Sequence, residues 1–282
     1  MPAATPPPAT WSGILRKMRA EPGKPVAYFL KDATVDGIPA ADRALTPHVG
    51  EPVELRFLGE IRCTLCGRAT KSTFGDGFCF PCSQSRPEAD ICIVKPELCH
   101  HGHPGHPCRD EAFAQSQCFQ PHVLYVSLTS GAKVGITRRA NLPTRWLDQG
   151  AVAAVALAEL PDRRSVGLVE KRLSDGGFAD KTHWTRMLKG DPPAEDLDSF
   201  ARQVAATLEG WGVALLPEAG RAVERFHYPV RQWPQKVTSH NLDKTPVVAG
   251  VLQGIKGQYL ILDGGVINLR RHSGYRVEVR FG

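Results

Sequence analysis

Residues 122–149 read HVLYVSLTSGAKVGITRRANLPTRWLDQ. Two apolar runs, HVLYVSL and KVGIT, flank the small-residue turn at Ser130-Gly131, the signature of a β-hairpin. A helical stretch opens at Thr144-Arg145-Trp146, and AVALAELP (154–161) returns as a strand. DRRSVGLVEKRL (162–173) then has the period of an amphipathic helix. Its Val166, Val169 and Leu173 share one face and leave Glu170 beside the stripe. The order ββαβα predicts an α+β core. Arg138, Arg139 and Arg145 follow the hairpin closely, so the stretch is either a plain basic surface or a phosphodiester site.

Charge bears on that choice. The chain has 282 residues, a net charge of +6 and a pI near 8.9. Between Lys133 and Lys189 stand eleven Lys/Arg against six Asp/Glu, so most of the excess lies in this one segment. A basic segment suits a polyanionic partner such as DNA or RNA. The stretch MPAATPPPATW lacks the basic and apolar regions of a signal peptide, and no apolar run approaches a membrane span. A cytoplasmic protein with no membrane partner is expected, in which eight cysteines serve metal binding and not disulfides.

Upstream of the core, CTLCGRATKSTFGDGFCFPC places Cys63-x2-Cys66 twelve residues before Cys79-x2-Cys82. Two knuckles at this spacing bring four thiolates to one ion, so a structural zinc ribbon is expected. Cys92, Cys99, Cys108 and Cys118 follow without a standard knuckle, with His100, His101, His103 and His106 among them. The simplest expectation is a second zinc on the four cysteines; a mixed set using His100 or His122 is the rival. Downstream of the core, Leu197, Phe200, Val204, Leu208 and Trp211 repeat at helical spacing, predicting a helix over 195–210.

The two ends of the chain resemble each other. GILRKM, VAYFL and HVGEPVELRFLG stand near the start; GVLQGI, QYLIL and HSGYRVEVRFG stand near the end. His48, Gly50, Val53, Glu54, Arg56 and Phe57 align without a gap on His272, Gly274, Val277, Glu278, Arg280 and Phe281. A duplicated small β unit is expected, its copies pairing across the chain. The expected organisation is an N-terminal β unit (1–59), a Cys/His-rich zinc module (60–121), the α/β core with its extra helix (122–216), a linker (217–246) and a C-terminal β unit (247–282).

The core resembles the GIY-YIG nuclease superfamily: a tyrosine on the first strand, a glycine on the second, then an arginine and a helical glutamate. The resemblance implies that Tyr125 orients or deprotonates an attacking water. It implies that Gly135 allows a close backbone approach, Arg145 neutralises the scissile phosphate, and Glu170 holds Mg or Mn. Val134 stands where that family has its second tyrosine. Lys133, Arg138, Arg139, Lys181 and Trp184 are the expected nucleic-acid contacts. Over residues 50–190, CIVKPELCH, KVGITR, PTRWLDQGA and DKTHWTRML resemble a prokaryotic zinc-ribbon family of unknown function. A divalent-metal phosphodiesterase is therefore the leading expectation. A non-catalytic nucleic-acid-binding protein, and an enzyme of RNA modification or specialised metabolism, are its alternatives. No P-loop, Rossmann glycine pattern or nucleophile elbow is present.

Overall fold

The computed structural model describes residues 9–31, 42–99, 101, 108–192 and 195–282. His100, His103 and His106 lie outside the described residues. In chain order the strands are β1 (Ala9–Ile14), β2 (Arg19–Glu21), β3 (Ala27–Leu30), β4 (Arg43–Ala44), β5 (Pro52–Ile61), β6 (His122–Leu128), β7 (Ala132–Arg138), β8 (Ala153–Leu160), β9 (Glu224–Arg225), β10 (Val247–Lys256), β11 (Tyr259–Leu262), β12 (Gly265–Asn268) and β13 (Tyr275–Phe281). The helices are α1 (Phe80–Ser85), α2 (Glu111–Phe113), α3 (Thr144–Asp148), α4 (Arg163–Asp175), α5 (Trp184–Met187) and α6 (Glu195–Gly210). The chain is a mixed α/β protein with several sheets. It divides into two compact units, 1–80 with 228–282, and 81–227.

In the first unit a six-stranded sheet runs β1-β13-β5-β10-β11-β12, beside a small β2-β3-β4 sheet. β13 sits between β1 and β5, so the last strand joins the first to the rest. Val53, Leu55, Val277, Val279 and Phe281 are buried on the inner face, while Glu54, Arg56, Arg276 and Glu278 alternate with them at the margin. That alternation is the two-residue period of a half-covered sheet. Val53 pairs with Phe281, Phe57 with Val277, Glu54 with Arg280 and Arg56 with Glu278. Each strand is entered through a short 3-10 turn, Thr46–His48 or Arg270–His272. Gly50 (φ 103) and Gly274 (φ 96) follow these turns in the left-handed region that favours glycine.

The second unit holds an antiparallel sheet in the order β7-β6-β8-β9. Every residue of β6 is buried, because it has a strand on each side and packing on both faces. Leu124, Val126 and Leu128 join Val134, Val155 and Leu157 against Val166 and Leu173 of α4 and Leu197, Val204 and Leu208 of α6. Asp162 starts α4 by accepting from the backbone N–H of Ser165 at 2.8 Å, an N-cap that satisfies one orphan donor. The alternate side chains of β6 leave this core. Tyr125 packs edge-on against Trp146, with ring centroids 5.9 Å apart. Among the described residues, no helix is long and apolar enough to cross a membrane.

Candidate functional site

The first cysteine set closes tightly. The Sγ atoms of Cys63, Cys66, Cys79 and Cys82 all lie within 4.8 Å of one another, and those of Cys66 and Cys79 are 3.7 Å apart. The local chain explains why. Thr64 N–H donates to Gly77 O at 2.8 Å and Phe74 N–H to Phe78 O at 2.8 Å, so a short hairpin returns the second knuckle to the first. A side chain at Gly77 would come 2.7 Å from Ser273 O, and the residue has φ 96, so the turn needs glycine. Burial pushes the Cys63 thiol up, but hydrogen bonds at the backbone of Cys66, Cys79 and Leu65 outweigh it and bring the pKa down to about 6. Thiolates held this close repel one another unless a cation lies between them. Four soft ligands at this separation suit a tetrahedral ion such as zinc, with no position left for substrate.

The second cysteine set is arranged differently. Cys92, Cys99, Cys108 and Cys118 line one cavity together with His101, Ile93, Phe113 and Phe119. Among the described residues they do not form a cluster as close as the first. Burial, helped by Asp90 and by Cys99 and Cys118, pushes the Cys92 thiol up to about 12. His101 contacts Glu111 at 2.9 Å. His122 is buried in β6 with its Nδ1 2.7 Å from Gln120 O, and burial lowers its pKa.

The residues singled out around the hairpin gather at one place. Tyr125 and Gly135 are paired across β6 and β7, and Lys133 lies opposite Ser127. A Cβ at Gly135 would fall 2.6 Å from Cζ and Oη of Tyr125, so the ring lies where a side chain would otherwise stand. The Tyr125 hydroxyl donates to Gln149 Oε1 at 2.9 Å. Burial raises the pKa of that phenol; Arg145 beside it works the other way and Glu170 reinforces the rise. Lys133 is only 4% exposed, which places it in this cluster and not on the solvent face expected of a surface contact. Burial, then Arg145, bring its pKa down to about 8 against the pull of Glu170 and Asp180. Burial raises Glu170 to about 7, opposed first by Lys133 and assisted by Asp180 and Glu97.

Arg145 hydrogen-bonds the Tyr125 side chain, yet this cluster still contains polar groups that are not satisfied. The Arg145 Nε is buried with no hydrogen-bond partner among the described residues. Glu170 likewise makes no hydrogen bond or ion pair there. The other basic candidates lie outside the cluster. Arg138 donates to Asn141 at 3.5 Å, Arg139 pairs with Glu159, and Lys181 and Trp184 are exposed. The sequence does not mark Gln149, and it offers Asp180 only as the first residue of DKTHWTRML. Gln149 stands four residues after Arg145, a spacing that brings both to one helical face. Asp180 opens the DKTHW segment, which docks on the hairpin tip through His183 N–H to Ser130 Oγ at 2.9 Å.

A mixed α/β protein of antiparallel sheets, with four clustered cysteines that could hold a metal ion such as zinc, is the class these features define. The chain belongs to the family described as "Protein of unknown function (DUF2797)", which matches residues 50–277. No curated protein and no solved structure matches it.

Proposed function

We propose that the second unit is a GIY-YIG-like core that binds a nucleic-acid phosphodiester and hydrolyses it with a divalent ion, Mg or Mn, on Glu170. The observation that carries this reading is the buried, unpartnered guanidinium Nε of Arg145 beside the unpaired carboxyl of Glu170. A buried donor without an acceptor costs about 1–3 kcal/mol, and a phosphate oxygen would relieve that cost. Tyr125, Lys133, Arg145 and Glu170 act on one another electrostatically, so charge developing at a phosphate here meets two cations at once. In the hydrolysis a water oxygen bonds to phosphorus, the bond to the leaving sugar oxygen breaks, and that oxygen takes up a proton as the water gives one up. Glu170 would hold the divalent ion, which would supply Lewis-acid stabilisation of charge on the phosphoryl group.

The experiment is cleavage of single- and double-stranded DNA and RNA with magnesium or manganese. Glu170→Gln is expected to lower the rate about a hundredfold or more while binding persists. Arg145→Ala is expected to reduce both. Absence of cleavage by the wild type, with salt-sensitive binding retained, would leave the second reading, a non-catalytic nucleic-acid-binding protein. One observation favours that reading: Tyr125 is fully buried and its hydroxyl is already given to Gln149.

We also infer that the first unit arose by duplication. In the β5–β13 ladder, equivalent residues of the two copies exchange places: Val53 meets Phe281 where Phe57 meets Val277. The flanking strands follow the same exchange, with Gly13 opposite Val277 and Gly250 opposite Val53. A local two-fold between copies accounts for both registers. Zinc on Cys63, Cys66, Cys79 and Cys82 completes the reading as a structural ion.

A further inference from the structure

The later cysteines come from four separate pieces of chain. Cys92 lies in the turn Ile91–Ile93, Cys99 just after Pro96–Leu98, Cys108 shortly before α2, and Cys118 at the end of the π-turn Ala114–Cys118. All four nevertheless face one cavity, whose other walls include Phe113 and Phe119. A single zinc ion, with Zn–S bonds of about 2.3 Å, draws its four sulfurs to within about 4 Å of each other. The sulfurs of the first set all lie within 4.8 Å of one another; among the described residues the second set forms no group that close. A cubane iron–sulfur cluster is instead held by four cysteine thiolates, one on each iron, and fills the space between them.

We infer that Cys92, Cys99, Cys108 and Cys118 hold a [4Fe–4S] cluster in this cavity. The surroundings suit it. Phe113 and Phe119 give the cavity aromatic walls. Four thiolates on such a cluster leave net negative charge, and Arg109 and Arg163 line the same cavity. Arg109 is held by Asp90 at 2.7 Å, and Asp90 in turn accepts from the Cys92 backbone N–H at 3.1 Å.

The cluster would also brace α4. Arg163, its first residue, donates to the backbone carbonyls of Cys92 and Ile93. At Gly167 the helix passes so close to the ligand loop that a Cβ would lie 2.4 Å from the Pro96 Cβ. Glu170 lies one turn further on, so the cysteine loop sets the position of the helix that carries it. The cluster proposal does not depend on cleavage: its readouts are iron, sulfide and spectra.

The test uses the full chain, purified without a histidine tag and reconstituted anaerobically with equal ferrous and ferric iron and matching sulfide. The wild type is expected to take up about four irons and four labile sulfides per chain. It should show the broad visible absorption of sulfur-to-iron charge transfer and, once reduced, the paramagnetic signal of a cubane. Cys99→Ser and Cys118→Ser are each expected to lose most of the iron while retaining zinc on the first set; Cys66→Ser is expected to do the reverse. Retention of zinc shows that a variant has folded. A wild type that binds a second zinc on these cysteines and forms no cluster would overturn the proposal. So would a cluster that survives both Cys99→Ser and Cys118→Ser. Mössbauer spectra of the wild type decide between cubane and isolated iron if the variants do not fold.

Discussion

Gly135 shows how one residue type follows from one neighbour. The Tyr125 ring lies across it, and a methyl group there would overlap the ring by a wide margin. Gly135→Ala is therefore expected to destabilise the unit by about 1–3 kcal/mol, the usual cost of overpacking, read as a fall in thermal midpoint. Restoration by a Tyr125→Phe change alone would count against the ring as the cause, since the ring would remain. Glu170 gives a pH signature. Its folded pKa is raised from 4.5 to about 7, chiefly by burial. The folded state thus holds the proton more tightly than the unfolded chain. That contribution is complete below about pH 4.5 and is lost as pH rises through about 7. In metal-free buffer, Glu170→Gln is expected to flatten the decline in stability over that window and to gain most at pH 8. Denaturant titrations at pH 5 and pH 8 measure this, and an unchanged slope would refute it.

At the scale of elements, β13 matters more than its place at the chain's end suggests. It lies between β1 and β5, with ladders to both. Deleting residues 275–282 is expected to remove hydrogen-exchange protection from β1 and β5 together; protection retained in both would show that they stand without it. The zinc hairpin is a second element whose order depends on something besides packing. It has Cys63, Cys79 and Cys82 buried but few other apolar side chains of its own. Chelation, or Cys66→Ser, is expected to loosen residues 62–82 while the β6–β8 sheet stays protected, because metal binding and local folding are one equilibrium. Metal analysis showing less than one zinc per chain in the untreated protein would contradict this.

For the molecule as a whole, residues 133–189 carry eleven Lys/Arg against six Asp/Glu, yet burial redistributes the meaning of that charge. Lys133 is inside, Arg139 is paired, and Lys181 stays exposed. Nucleic-acid affinity is expected to fall linearly with the logarithm of salt concentration. Lys181→Ala is expected to reduce the slope by about one phosphate contact. Lys133→Met is expected to alter the pH dependence of the cluster more than the salt slope. Binding isotherms at several salt concentrations separate the two; equal slopes for Lys181→Ala and wild type would remove Lys181 from the contact surface.

Periodicity and spacing are local properties, and what depends on them was legible in the sequence. The 122–128 and 132–138 hairpin, the strand at 153–160, the helix starting after Asp162 and the helix over 195–210 all follow from apolar period, caps and turn residues. The two CxxC knuckles announced their own convergence, because each knuckle and the hairpin between them are short-range. The matching ends of the chain were visible as a pattern, but not that β13 would insert between β1 and β5. That pairing joins residues more than two hundred positions apart, and only the closed sheet selects its register. The tertiary structure also buried Lys133, brought Gln149 and Asp180 to Tyr125 and Glu170, and left Arg145 Nε without a partner. It set the later cysteines around a cavity, where their irregular spacing in the chain carries no geometry. Burial and electrostatic proximity depend on every segment packed around a group, so no window of sequence contains them.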